Sequence, residues 1–273
     1  MSASLDKDEI SAALAPATRE WLGELEVLDV VPSTNTWLMQ QERHEPGRCH
    51  VVLAEHQTAG RGRQSRRWYS PPRAGLCLSL AYTFGENPGN ISCMTLAAGV
   101  AVVQALAELG CREPRLKWPN DIYAGDAKLG GILTDAQTAP GGRITMICGV
   151  GLNVDLAAAD TGTADLDKLD YSVTDLKSHV DELPSRSALA AAVIDRLALA
   201  FRKFEEAGLE PFRNDWNRHD WLRGREISVD MPDGQLSGTA DGIDANGALR
   251  VNTVHGRRRV YTGDVRVRAA VRA

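Results

Sequence analysis

Residues Leu53–Leu80 read LAEHQTAGRGRQSRRWYSPPRAGLCLSL. Two strand-like apolar runs, Val51–Glu55 and Leu76–Tyr82, flank a stretch with three glycines and five arginines: Arg61, Arg63, Arg66, Arg67 and Arg73. A connection so crowded with one sign of charge repels itself, and no acid follows Glu55 within it. An anionic partner over which the loop closes accounts for such a composition. Gly60 and Gly62 let the backbone approach that partner closely. A solvated basic turn is the plainer alternative, but Trp68 and Tyr69 bring apolar area to the same place.

The flanks alternate between strand and helix patterns. Residues 6–22 fit a short helix with Ile10, Leu14 and Trp21 or Leu22 on one side. Val27–Val31 reads as a strand, and Ser33-Thr34-Asn35 offers caps for a helix over Thr36–Arg43. Met94–Leu109 is an alanine-rich helix closed by Gly110. Arg115–Trp118 leads into a turn at Pro119-Asn120-Asp121, and Lys128–Thr134 pairs with Arg143–Val150 across Ala139-Pro140-Gly141-Gly142. Ala157–Glu182 is acidic and irregular, a partly helical surface excursion. Ser185–Glu206 is a long helix whose stripe is Leu189, Val193, Leu197, Phe201 and Phe204. Beyond Leu222 five short strand patterns with Asp-Gly and Asn-Gly turns suggest a small barrel.

Composition is that of a globular protein of 273 residues, with 43% hydrophobic and 25% charged residues, enough for one large domain and a small one. The net charge of −5 excludes a polyanion binder as a whole and leaves the arginines a local purpose. The five cysteines have neither CxxC nor metal-ligand spacing, and apolar neighbours make buried free thiols the expected state for most of them. No signal-peptide core and no apolar run of membrane-span length is read, so a cytoplasmic protein without membrane contact is expected. The six histidines show no ligand spacing, so no protein-bound catalytic metal is implied. Neither a P-loop nor a G-x-G-x-x-G fingerprint is present.

Three segments together carry a resemblance. GRGRQSRRW (residues 60–68), KWPNDIYAGDAKLGGIL (Lys117–Leu133) and GVGLNVD (Gly149–Asp155) resemble, in order and spacing, the GRGRxxRxW, KWPND…KxxGIL and GxGxN segments of the biotin–protein ligases. The resemblance implies an α+β fold: a class II synthetase-like catalytic domain, a mixed β-sheet with helices, over residues 1–221, and an SH3-like barrel over 222–273. It implies activation of biotin by ATP to biotinyl-5′-AMP, then transfer to a lysine of a biotin carboxyl carrier protein, that of acetyl-CoA carboxylase or a related carboxylase. Mg²⁺ would arrive with the triphosphate. Some family members carry an N-terminal DNA-reading domain. Only about thirty residues precede Ser33, too few for one, so no DNA partner is expected, and the protein is expected as a monomer or weak homodimer.

The chemistry asks for fixed positive charge, because two anions must meet at the α-phosphorus. By resemblance Lys128, Arg63 and Asp121 are the catalytic candidates. Lys128 bridges the biotin carboxylate and α-phosphate, Arg61 and Arg63 line that region, and Arg66 covers the triphosphate side. Asp121 lies where the acceptor lysine enters and can orient it and take its proton. Ser33, Thr34 and Gln57 match the polar residues around the ureido head, with Asn35 setting the turn. Gly60, Gly131 and Trp68 complete the biotin site, Trp68 by packing over the valeryl chain. Asn120, Asn153 and Arg268, with Arg63, Arg66, Trp68 and Lys128, are the nucleotide candidates. Lys117 faces phosphate or merely projects from its strand. The sequence departs from the commonest family loop at Gln64-Ser65, where many members have Arg-Gly. Two other readings stay open on the residues: a lipoate ligase of the same general fold, and a single-strand nucleic-acid module built on arginines and aromatics.

Overall fold

The computed structural model describes residues 4–41, 45–138, 140–158, 171–231 and 234–267. Twelve strands and six α-helices follow one another among them. A seven-stranded sheet is built from β1 (Leu22–Val31), β2 (Cys49–Gln57), β3 (Gly75–Thr83), β4 (Pro114–Lys117), β5 (Asp121–Ala124), β6 (Ala127–Thr138) and β7 (Ile144–Asn153), in the order β1-β2-β3-β7-β6-β5-β4. Only β1 and β2 run parallel; every other neighbouring pair is antiparallel. The sheet is therefore mixed, as expected.

Alternation along the strands separates two faces. On β3, Leu76, Leu78, Leu80 and Tyr82 enter the main core with α4 (Met94–Glu108) and α5 (Arg186–Ala207). Ala81 turns to the other face, where it joins Val52, Ile147 and Leu38 of α3 (Thr34–Met39) in a small second core. The stripe Leu189, Val193, Leu197, Phe201 and Phe204 of α5 is at most 1% exposed. Each such side chain contributes on the order of 2 kcal/mol by leaving water. Ser185 caps α5 by accepting from the Ala188 N–H at 3.0 Å, and Gly208 ends it in a left-handed turn at φ 59°.

The run Ile91–Glu108 is apolar enough by composition to cross a membrane, which the sequence reading had denied for every run, but 67% of it is buried inside the protein as the core helix. The N-terminal helix is two helices, α1 (Lys7–Ala13) and α2 (Pro16–Trp21). Leu14 and Ala15 are extended between them, because a residue before proline avoids the helical region. The helix expected over Thr36–Arg43 starts two residues earlier, at Thr34, because Ser33 is the one of the three cap candidates that caps it. Asp121, expected in the turn, opens the strand Asp121–Ala124; the turn before it contains a cis Trp118–Pro119 bond. Of the excursion between Ala157 and Glu182, the described part includes Lys128↔Val173, a parallel bridge on β6.

The chain ends in a five-stranded antiparallel sheet, β8 (Glu226–Met231), β9 (Gly234–Ile243), β10 (Leu249–Thr253), β11 (Gly256–Val260) and β12 (Asp264–Val267), ordered β11-β10-β9-β8-β12. It is reached through α6 (Arg213–His219). It docks on the turn after β4 and on the cap of α4: the Trp118 indole N–H donates to Gly247 O at 3.1 Å, and Cys93 Sγ–H donates to Asn246 O at 3.1 Å.

Candidate active site

A cleft of about 430 Å³ opens on the α3 side of the large sheet. Strand register explains its floor. Gly149 and Gly151 alternate with core residues of β7, and a side chain on either would collide with what lies above. A Cβ on Gly149 would sit 2.2 Å from Asn35 Oδ1, and one on Gly151 would sit 2.5 Å from the Trp68 ring. The glycines of GVGLN thus make room for the Ser33-Thr34-Asn35 turn and for the tryptophan of the arginine loop.

At one end of the cleft polar groups form a connected set. Gln57 Oε1 accepts from the Thr34 N–H at 2.8 Å and from Thr34 Oγ1 at 3.1 Å. Ser79 Oγ lies 2.7 Å from Thr34 Oγ1 and 2.6 Å from Asn35 Oδ1. Ser33, Thr34, Asn35 and Gln57 are all buried, so this end offers fixed donors and acceptors beside the half-buried Trp68 ring.

Cations reach the cleft from the loop, from β6 and, through Lys117 and Arg266, from β4 and β12. Lys128 Nζ is 2.6 Å from Asp121 Oδ1, and both side chains are largely buried. Arg63 Nη1 donates to Asn120 Oδ1 at 3.5 Å, while Asn120 Nδ2 donates to Ile132 O at 2.8 Å. Burial lowers the Arg63 pKa below the ordinary arginine value; Asp264 and Asp121 oppose that shift and Arg66 adds to it. Arg66 forms an ion pair with Asp264 of β12, and Arg61 with Asp135 of β6 at 3.2 Å. Two of the five arginines of the loop expected to repel itself are therefore paired, by carboxylates about 70 and 200 residues away.

One cleft brings together Ser33, Thr34, Gln57, Arg61, Arg63, Arg66, Trp68, Asn120, Asp121, Lys128 and Gly131. Gly60 stands behind the loop, where a Cβ would meet Trp68 O at 2.6 Å; its part is to let the loop fold back on itself. Asn153 does not line the cleft, and its amide donates to Thr174 O at 2.9 Å. Arg268 lies outside the described residues. Lys117 lines the cleft and is held, with Nζ 3.2 Å from Tyr123 OH and 5.3 Å from the centre of that ring. Asp135, Asp264, Gly149, Tyr123 and Trp221 escaped the sequence reading. Gly149 and Tyr123 left a signal, since both lie within the quoted motif segments. The two aspartates reach the site through pairing that no local pattern announces.

All five cysteines are buried and free. Burial pushes the Cys49 and Cys148 thiols up to about 12, so neither supplies a thiolate nucleophile. Among the described residues no group of three or more His, Cys, Asp or Glu could hold a metal.

Comparison with known proteins places these features. The model of the Biotin/lipoate A/B protein ligase family matches residues 27–155, and that of the Biotin protein ligase C terminal domain matches residues 223–268. The chain is 32% identical over 268 residues to the biotin–[acetyl-CoA-carboxylase] ligase of Mycobacterium tuberculosis, covering 96% of this chain and 95% of that one. It is also 32% identical over 247 residues to the bifunctional ligase/repressor of Salmonella typhimurium, covering 90% of this chain and 72% of that protein. The Aquifex aeolicus biotin protein ligase, solved in complex with biotin and ATP, superposes with a TM-score of 0.71 at 24% identity, over 90% of this chain and 99% of that one.

Proposed function

The chain belongs to the biotin protein ligase family, and from that premise we infer how its cleft works. The protein is an ATP-dependent ligase that activates biotin as biotinyl-5′-AMP and transfers it to a lysine of a biotin carboxyl carrier protein. The observation that carries the assignment of roles is the convergence of three separate motifs on one cleft, with Lys128 and Asp121 in contact at 2.6 Å.

In this reading biotin's ureido head meets Ser33, Thr34 and Gln57, and its chain lies along Trp68. The carboxylate attacks the α-phosphorus of MgATP and pyrophosphate leaves. Arg61, Arg63 and Lys128 offset the charge gathering there, an effect worth a few kcal/mol for each well-aimed donor in a site shielded from water. Arg63 suits the part because its guanidinium stays charged even when half-buried. Arg66 and Asn120 serve the nucleotide, and Asn153 supports it indirectly by holding the 174 backbone. Arg268 belongs to the same proposal from its place after β12. Mg²⁺ enters with the triphosphate as part of that substrate.

In the second step the carrier lysine attacks the mixed anhydride and AMP leaves. The lysine must first lose a proton. Asp121 is in place to orient the amine and receive it, but its carboxylate is engaged by Lys128. Once Lys128 turns to the adenylate phosphate, Asp121 is released for the amine, so one contact serves both half-reactions in sequence. The acceptor is assigned to acetyl-CoA carboxylase or a related carboxylase. The division at residue 221/222, the monomer or weak homodimer and a cytoplasmic location complete the proposal.

Incubation with MgATP, a biotin-carrier domain and either biotin or lipoate, read by mass, tests it. One biotinyl group on one carrier lysine is the expected product. Transfer of lipoate instead, or no transfer of either, would defeat the assignment.

A further inference from the structure

Asp135 stands on β6 opposite Ile147 of β7 and outside the three motif segments that identify the site. Its carboxylate does two things. Oδ1 and Oδ2 accept from Arg61 Nη2 and Nη1, each at 3.2 Å, a two-point pairing that fixes the guanidinium plane. Oδ2 also accepts from Asn35 Nδ2 at 2.9 Å. The other Asn35 amide proton goes to Leu133 O at 3.1 Å. Asn35 is itself locked: it is 3% exposed, and the space beside Oδ1 is so tight that a Cβ on Gly149 would lie 2.2 Å away. From Asn35 the contacts continue through Ser79 and Thr34 to Gln57. An unbroken polar path therefore runs from the buried end of the cleft to the arginine loop, and Asp135 is its last fixed member.

An ordinary surface ion pair would contribute little. Asp135 differs from that case because its side chain is only 19% exposed and because a buried amide shares it with the arginine. We propose that Asp135 is a positioning residue for adenylate formation: it holds Arg61 over the cleft and ties the loop to the Ser33-Thr34-Asn35 segment. This inference rests on the reading of the cleft given above. Arg61 touches the reacting groups, and Asp135 acts only through it.

Asp135→Asn separates the two duties. The amide keeps an oxygen for Asn35 but turns an N–H toward the guanidinium, where donor meets donor. Asp135→Glu keeps the charge and should restore part of the effect. Four proteins besides wild type are compared: D135N, D135E, R61A and the R61A/D135N double variant. The readouts are biotin-dependent pyrophosphate exchange, thermal midpoint, and trypsin cleavage after Arg61 without substrates. D135N should be cleaved several times faster than wild type at an unchanged midpoint. Its kcat/KM for biotin should fall by up to ~100-fold, the scale of a modest misplacement of a reacting group, with D135E between the two. In the R61A background D135N should add nothing, because both act at one contact. Exchange by D135N at the wild-type rate, losses that multiply in the double variant, or a lowered midpoint without faster cleavage would each overturn the proposal. If the wild type performs no exchange, the ligase reading fails, and the cleavage measurement still decides whether Asp135 orders Arg61.

Discussion

The arginine loop and the strand that carries Lys128 deliver cations to one cleft, and they hold them by different means. Lys128 is fixed by backbone. It pairs in register with Tyr123 on β5, its N–H donates to Ser172 O at 2.8 Å, and its carbonyl accepts from the Thr174 N–H at 2.9 Å. The loop has few such bonds: Gly62 N–H to Arg66 O at 2.7 Å, Arg66 N–H to Arg63 O at 3.1 Å and Trp68 N–H to Gly60 O at 2.9 Å. Gln64 and Ser65 both adopt positive φ, 54° and 60°. The loop is placed instead by side-chain pairs to Asp135 and Asp264. A strand fixed by backbone stays put when an anion arrives, and only the Lys128 ammonium exchanges Asp121 for it. A loop held by carboxylates exchanges partners as a whole, which suits a segment that must admit substrate and then cover it.

The sharpest way to break this comparison is to remove one cation from each region. Lys128→Ala and Arg63→Ala should each lose adenylate formation by roughly 10²–10³, the usual loss for one aimed donor, far more than they lose in fold stability, although Lys128→Ala leaves Asp121 unpaired. Pyrophosphate exchange near the wild-type rate in either variant would take that residue out of the chemistry.

A pH experiment sharpens the strand side. Asp220 is 7% exposed, and its backbone pairs with Leu116 at the sheet edge. The ring of its neighbour Trp221 lies 4.6 Å, centre to centre, from that of Tyr123, the residue paired with Lys128 in the sheet. Oδ1 accepts from the Leu222 N–H at 2.9 Å, whereas Oδ2 has no partner among the described residues. Burial raises its pKa from 3.8 to about 6, only partly opposed by that backbone bond and by Arg223. The fold therefore favours the protonated form. Its contribution is complete below the unfolded value and is lost as pH rises through about 6. Wild type should lose up to ~3 kcal/mol relative to Asp220→Asn over that interval. Urea midpoints of the two proteins that run parallel from pH 4 to pH 8 would refute the assignment.

The same contrast shows what the sequence could disclose. The strand region was legible because periodicity and glycine spacing report backbone pairing: Lys128–Thr134 and Arg143–Val150 do pair, and the α5 stripe is buried. Four of the five clustered arginines, Arg61, Arg63, Arg66 and Arg67, do line one cleft, whereas Arg73 is not among its lining residues. The partners of Arg61 and Arg66 were not legible, because Asp135 and Asp264 meet the loop only after the sheet order and the docking of the second sheet are set. Asn153 shows the same limit: it sits at the end of β7, and its amide turns to the neighbouring Thr174 carbonyl, a partner that its motif position does not announce. Local patterns carry backbone information well, whereas side-chain partners distant in sequence depend on topology.

The smallest expected effect tests the loop alone. Ser65 adopts φ 60° and is exposed. A left-handed conformation costs a non-glycine residue roughly 1 kcal/mol through contact of Cβ with the backbone. Glycine escapes that cost but gives the unfolded chain more freedom, which offsets part of the gain. Ser65→Gly should therefore stabilise the protein by no more than ~1 kcal/mol. The Arg63 and Lys128 contacts lie elsewhere, so the rate of adenylate formation should change by less than about threefold if the cations, not the turn, carry the chemistry. Lys128 offers the control: a loop change should leave its backbone pairing untouched, so hydrogen exchange at the Lys128 amide should match wild type. If Ser65→Gly is less stable than wild type, the turn is not strained at that residue. If it instead slows adenylate formation tenfold or more, the loop is held by its backbone after all, and the contrast with the Lys128 strand disappears.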